Sequence, residues 1–176
     1  MTETPAQWAQ AMSGPVITLA MIEAHEACED QVQLFKQLYP SGEVIVTRES
    51  VRAAAEAGLS VAWGSNHLLK GRFLKAYHAA IAAPHRVYLA KTAEPLVAYR
   101  DAIAEPQKVY HSRIAGPQKA YYPTLSVAYK VYRDAIAEPL VAYRDAIAEP
   151  NKDYNVAMAE SFANAFIAQA EMEKVT

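Results

Sequence analysis

Residues 96–106 read LVAYRDAIAEP, and residues 140–150 repeat that string unchanged, four periods of eleven residues later. Tyrosine keeps the eleven-residue spacing at Tyr77, Tyr88, Tyr99, Tyr110, Tyr121, Tyr132, Tyr143 and Tyr154. Proline keeps it at Pro84, Pro95, Pro106, Pro117, Pro139 and Pro150, with Ala128 where a further proline is due. Eleven residues in three turns is about 3.67 per turn, close to the α-helical value, so residues eleven apart fall nearly on one line along a helix. The fourth position after each tyrosine is mostly apolar (Ile81, Ile103, Ile136, Ile147), and the seventh is the proline. These positions share one helix face, so a single stripe carries Tyr, Ile and Pro, while Arg100, Asp101 and Glu105 lie away from it. Strand periodicity is absent and alanine is abundant, which excludes a β reading.

Proline inside a helix costs about 3 kcal/mol, because it removes a hydrogen bond and crowds the preceding turn. Either the helices run on with kinks all aimed one way, or each proline opens a new short helix at its first position. Short isolated helices are marginal in water, which favours continuous, proline-kinked helices. The register breaks once, at Gly116-Pro117 and Tyr121-Tyr122-Pro123-Thr124. Gly, Pro and a neighbouring Thr are turn chemistry, so 115–124 reads as a reversal between arms of roughly 66–114 and 125–172. Folding back lets the two stripes bury each other and sets Tyr99 near Tyr143 and Tyr88 near Tyr154.

The expected fold is therefore all-α: a mobile tail over 1–16, a small helical head over 17–69, and a long proline-kinked antiparallel hairpin over 70–176. Hydrophobic residues make up 52% and charged residues 20%, a globular rather than disordered balance. Residues 1–68 hold three Lys/Arg against eight Asp/Glu, a balance of −5, while 69–176 hold fourteen against eleven, +3. This asymmetry separates head from repeats. The single cysteine, Cys28, excludes an intramolecular disulfide framework and fits a reducing compartment. The start, MTETPAQWAQAMSG, has no signal-peptide pattern, and no apolar run reaches the length of a membrane span. A soluble cytoplasmic protein is expected.

In the head, Thr18 can cap a helix through about Ala27, and a second helix spans about Glu29–Leu38 before Tyr39-Pro40. Glu43–Val46 has the look of a short β segment. Thr47 and Ser50 are possible caps for a helix to Ala57, closed by Gly58. Ser60 caps a helix from Val61 through Leu69 that runs on toward the repeats. The stretches ITLAMIEAHEAC (17–28), VQLF (32–35), EVIVT (43–47) and WGSNHLL (63–69), followed by Tyr-centred repeats, resemble a group of uncharacterised phage and bacterial proteins. That resemblance implies an accessory protein acting on a host or defence protein. It implies no activity.

Ala54, Gly58, Leu59, Ser60 and Leu68 match helix-turn-helix spacing over 47–69. A DNA-binding regulator would use Ser60, Ser65, Asn66 and Lys70. Against it, the second helix opens Ser60-Val61-Ala62-Trp63-Gly64 without a cation, although phosphate contacts dominate DNA affinity. Glu23, His25, Glu26, Cys28, Glu29 and Asp30 cluster but lack the second histidine of the zinc-protease motif and any Cys-x-x-Cys. They read as a solvated helix face with a buried cysteine. No residues point to a metal, a cofactor or a catalytic centre.

The tyrosines themselves have three readings. They can form a hairpin core, with hydroxyls reaching for water. They can form a partner surface of aromatic anchors, Tyr77, Tyr88, Tyr99, Tyr110, Tyr132, Tyr143 and Tyr154. They can form a base-stacking platform flanked by Lys108, Lys119, Lys130 and Lys152, for which a +3 balance is small. The expected function is non-enzymatic: a protein-interaction or inhibitor module of phage type that binds a host protein, with self-association a further outcome of an exposed stripe.

Overall fold

In a computed structural model, which describes residues 14–114 and 122–175, side-chain caps set the ends of the head's short elements. β1 (Val16–Thr18) leads straight into α1 (Leu19–Ala24), and the Thr18 hydroxyl closes the join by accepting the Met21 N–H at 3.2 Å. After α2 (Glu29–Leu38), β2 (Glu43–Ile45) pairs antiparallel with β1, Val16 opposite Ile45 and Thr18 opposite Glu43. Thr47 and Ser50 cap α3 (Arg48–Glu56) reciprocally: Ser50 N–H donates to Thr47 Oγ1 at 3.0 Å, and Thr47 N–H to Ser50 Oγ at 2.9 Å. Ser60 caps α4 (Val61–Leu68), its hydroxyl accepting from the Trp63 N–H.

The chain departs from its sequence reading at several joints. The tail expected over 1–16 falls mostly on residues 1–13, outside the described residues, but its end is structured. Val46 N–H donates to the Pro15 carbonyl at 2.7 Å. Gly14 lies so near β2 that a Cβ there would stand 2.7 Å from Ile45 Cγ2, closer than packed carbons approach. α1 stops at Ala24 rather than Ala27. Cys28, expected to be buried, is exposed, because it stands ahead of α2 with its side chain outside the head's core. α4 also does not run on into the repeats. Leu69 is extended, and Gly71 takes φ +51, a left-handed conformation natural to glycine. Gln169 satisfies the broken backbone: its Oε1 accepts from Lys70 N–H at 2.8 Å, and its Nε2 donates to the Leu68 carbonyl at 3.2 Å.

Beyond the break, α5 (Gly71–Ile114) passes through Pro84, Pro95 and Pro106, and α6 (Tyr122–Glu173) through Pro139 and Pro150. The prolines therefore sit inside continuous helices and do not open separate ones. The reversal expected over 115–124 lies largely outside the described residues, which resume in helix at Tyr122. The fold is all-α, a helical hairpin with a small head that includes one two-stranded sheet.

Contacts divide the chain into two units, Met1–His85 with Asp153–Thr176, and Arg86–Lys152. The first unit joins the head to the first turns of α5 and the last turns of α6. The reason is the apolar face of α6 beyond the repeats, where Ala159, Phe162, Ala163 and Phe166 are buried with Phe35 and Val46 of the head. Residue 165, where the next tyrosine is due, is alanine, 8% exposed. Gly64 of α4 lies against the Phe162 ring, with Arg52 paired to Glu160 and Arg48 Nε donating to Asn164 Oδ1 at 2.9 Å.

Two measurements test this unit. Gln169 is 7% exposed and serves two backbone groups; Gln169→Leu should lower stability by about 2–3 kcal/mol in thermal or urea melts, because both groups lose their partner. Tyr77, 2% exposed, has its hydroxyl pKa pushed above the usual 10.0 by burial, partly offset by a hydrogen bond with Ser65. The folded state thus holds this proton more tightly than the unfolded chain. Its stabilisation is complete below pH 10 and drains away as pH rises through the raised value. Melts of Tyr77→Phe across that range should show a shallower alkaline decline than the parent protein.

Candidate interaction surface

In Arg86–Lys152, burial follows the eleven-residue period. Tyr99, Ile103, Pro106 and Tyr110 in α5, and Tyr132, Ile136, Pro139 and Tyr143 in α6, are half-buried among exposed neighbours. Tyr99 stacks on Tyr143 with ring centroids 5.0 Å apart, and Tyr110 on Tyr132 at 5.1 Å. The pairing at Tyr99 is the one expected from antiparallel folding.

An arithmetic property of the repeat makes this packing self-consistent. Inward positions fall zero, four and seven residues after tyrosine, and reversing an eleven-residue period exchanges four with seven. Tyrosine therefore meets tyrosine, while each proline lies level with the isoleucine position of the other helix. Ile103 is level with Pro139, and Thr92 with Pro150, both of them buried. Thr92 keeps its hydroxyl satisfied locally by donating to the Tyr88 carbonyl at 2.9 Å.

Two open grooves run along one face of this unit. One, about 190 Å³, is lined by Pro95, Ala98, Tyr99 and Ala102 and by their repeat equivalents Pro139, Ala142, Tyr143 and Ala146. The other, about 260 Å³, lies between Pro106, Val109, Tyr110, Ala128, Val131 and Tyr132. Ala128, where a proline is due, lines the second groove. Both helices thus turn the same flank, three and ten residues after tyrosine, to this face.

The residues singled out from sequence fare unequally. Tyr77 is buried in the first unit and offers no surface. Tyr88, Tyr99, Tyr110, Tyr132, Tyr143 and Tyr154 are half-buried, and four of them show only part of each ring in the groove floors. Tyr154 lies against His85 at 5.4 Å. The base-stacking arrangement meets a geometric obstacle. Lys108, Lys130 and Lys152 stand nine residues after tyrosine, on the helix side turned away from the rings.

For DNA contact, Asn66 and Lys70 are exposed, but the Ser60 hydroxyl is occupied as a helix cap and Ser65 is 1% exposed, donating to the Ala62 carbonyl. Val61, Gly64 and Leu68 of the same helix face inward, because α4 is packed on Phe162. Among the described residues no three His, Cys, Asp or Glu side chains gather to hold a metal ion. Nor is any helix there long and apolar enough to cross a membrane.

Sequence reasoning missed the alanine flank of the hairpin. Its signal was present in the alanines and valines three and ten residues after tyrosine. No protein-family model, curated protein or solved structure matches the chain.

The tyrosine pairs give the next test. Each of Tyr99→Ala and Tyr143→Ala should cost about 2 kcal/mol, less than a fully buried aromatic because the rings are half-exposed. The double variant should cost less than the two single effects added, by about 0.5–1.5 kcal/mol, the worth of a stacked pair. Thermal melts of the three variants read this coupling directly; strict additivity would mean the stacking contributes nothing.

Proposed function

We propose that the protein works by binding other proteins through the open faces of its hairpin, with no chemistry of its own. The observation that carries this reading is the groove-bearing face, where Ala, Pro, Tyr and Val line two grooves between the helices, with Glu105 and Arg113 beside the larger one. Val131 is 45% exposed beside it, and Leu89 and Tyr129 are more than half exposed elsewhere on the same unit. Soluble proteins seldom leave such extended apolar surface without a partner for it. Rigid helices with aromatic floors suit anchoring rather than catalysis. An accessory or inhibitor protein of phage type, acting on a host protein in the cytoplasm, would work in this way.

The experiment is capture from host lysate, with nuclease treatment as a control. The full chain is compared with Ala102→Arg/Ala146→Arg, which fills the smaller groove from exposed helix positions. The substitution should change stability by no more than about 0.5 kcal/mol per site while removing the captured protein. Capture that survives it, or that nuclease abolishes, would sink the hairpin reading. Duplex DNA should show no salt-sensitive shift with the full chain.

A further inference from the structure

Charge separates the two broad faces of the hairpin in Arg86–Lys152. The grooved face is built from positions three, six and ten after tyrosine. Its rim carries the exposed Glu94, Glu105, Glu138 and Glu149, against Lys91 and Arg113. The opposite face is built from positions one, five and eight. It carries exposed Arg100, Arg133 and Arg144 with Leu89 and Tyr129, and no acidic residue among the described ones. Both faces have small residues between the charges, Ala98 and Ala142 on the first, Ala104 and Ala148 on the second.

The grooved face thus presents carboxylates and the opposite face guanidinium groups on the same eleven-residue period, with Arg133 also 3.6 Å from Asp134 and Glu105 3.9 Å from Lys108 at the edges. Matched repeats of donor and acceptor are what one surface needs to read another.

We infer that a second copy of this chain occupies the grooved face, laying its arginine face upon it. This rests on the reading of the hairpin as a binding surface and names the occupant. Pairing two grooved faces would set glutamates against glutamates, and pairing two arginine faces would set guanidinium groups together, so like-on-like contact is opposed. Grooved face on arginine face is a heterologous contact, which leaves one free face of each kind and lets the assembly grow beyond two copies. Residues 86–113 span about 42 Å at the helical rise, and two helices side by side are roughly 20 Å across. The face therefore offers roughly 800 Å², what each partner gives in a standard stable interface.

The test uses the full chain and two exposed charge reversals at equivalent repeat positions, Glu105→Lys/Glu149→Lys and Arg100→Glu/Arg144→Glu. Sedimentation velocity across a concentration series should show the parent protein growing past the dimer, less so at high salt. Each variant alone should associate roughly tenfold more weakly or worse, with unchanged circular dichroism. An equimolar mixture of the two should regain assembly, because each reversed face then meets its opposite. A parent protein that stays monomeric throughout, a dimer that never grows, or assembly that persists in both variants would overturn the inference. A monomer whose lysate capture is still lost in Ala102→Arg/Ala146→Arg would overturn self-stacking alone and leave the protein-binding reading in place.

Discussion

The stacking of tyrosine on tyrosine across the hairpin is the contact on which the repeat region depends. It is possible because eleven residues close three helical turns almost without drift, so a ring returns to the same side of the helix each time. It is unambiguous because the inward pattern is its own reverse. One antiparallel register brings Tyr99 to Tyr143 and Tyr110 to Tyr132. A slip of a few residues would set tyrosine against proline and leave isoleucine facing a gap. A repeat this regular could pair in several registers, one period apart, and the connection between the arms removes that freedom.

Proline fits the same constraint. Inside a helix it forfeits a hydrogen bond, and a run of such losses would be severe on an isolated rod. Here Pro95, Pro106, Pro139 and Pro150 face the other helix, where each ring is half-buried or buried level with an isoleucine or threonine. Apolar burial offsets part of the loss. The alanines four residues before Pro106, Pro139 and Pro150 line the grooves beside half-buried tyrosine. The two proposals for this surface rest on those apolar grooves and on the glutamates alongside them.

In the other unit the long helices change partner. α6 carries tyrosine to Tyr154, then alanine at the next due position, with Phe162 and Phe166 alongside. The narrow Ala159 and Ala163 let the head come close, and Gly64 meets the Phe162 ring. That packing turns the inner face of α4 away from solvent, burying Ser65 and leaving Asn66 and Lys70 exposed on the other side. Gln169 reaches from the same stretch to the break between α4 and α5 and supplies both a donor and an acceptor where the backbone has neither. A single buried amide there lets the chain turn from the head into a long helix without orphaned groups.

How much of this was legible beforehand follows from the range of the interactions. Period, helix type, antiparallel pairing and the caps at Thr18, Thr47 and Ser60 are short-range or repetitive, so the sequence by itself determined them, while it left two alternatives for the prolines. A cap is a bond over three residues, and a stripe is geometry along one helix. The β1 strand, the exposure of Cys28, the break at Leu69–Gly71 and the true extent of the first unit depend on residues far apart in the chain. Val16 is a strand only because Ile45 lies opposite it, and the break after Leu68 is accommodated because Gln169 takes the Lys70 N–H. The same holds for the surface. The sequence placed tyrosine on one side of each helix, but whether those rings face a partner or one another was a question of which helix came to lie alongside. Only the tertiary structure decided that, since two identical stripes bury more apolar area against each other than either can alone.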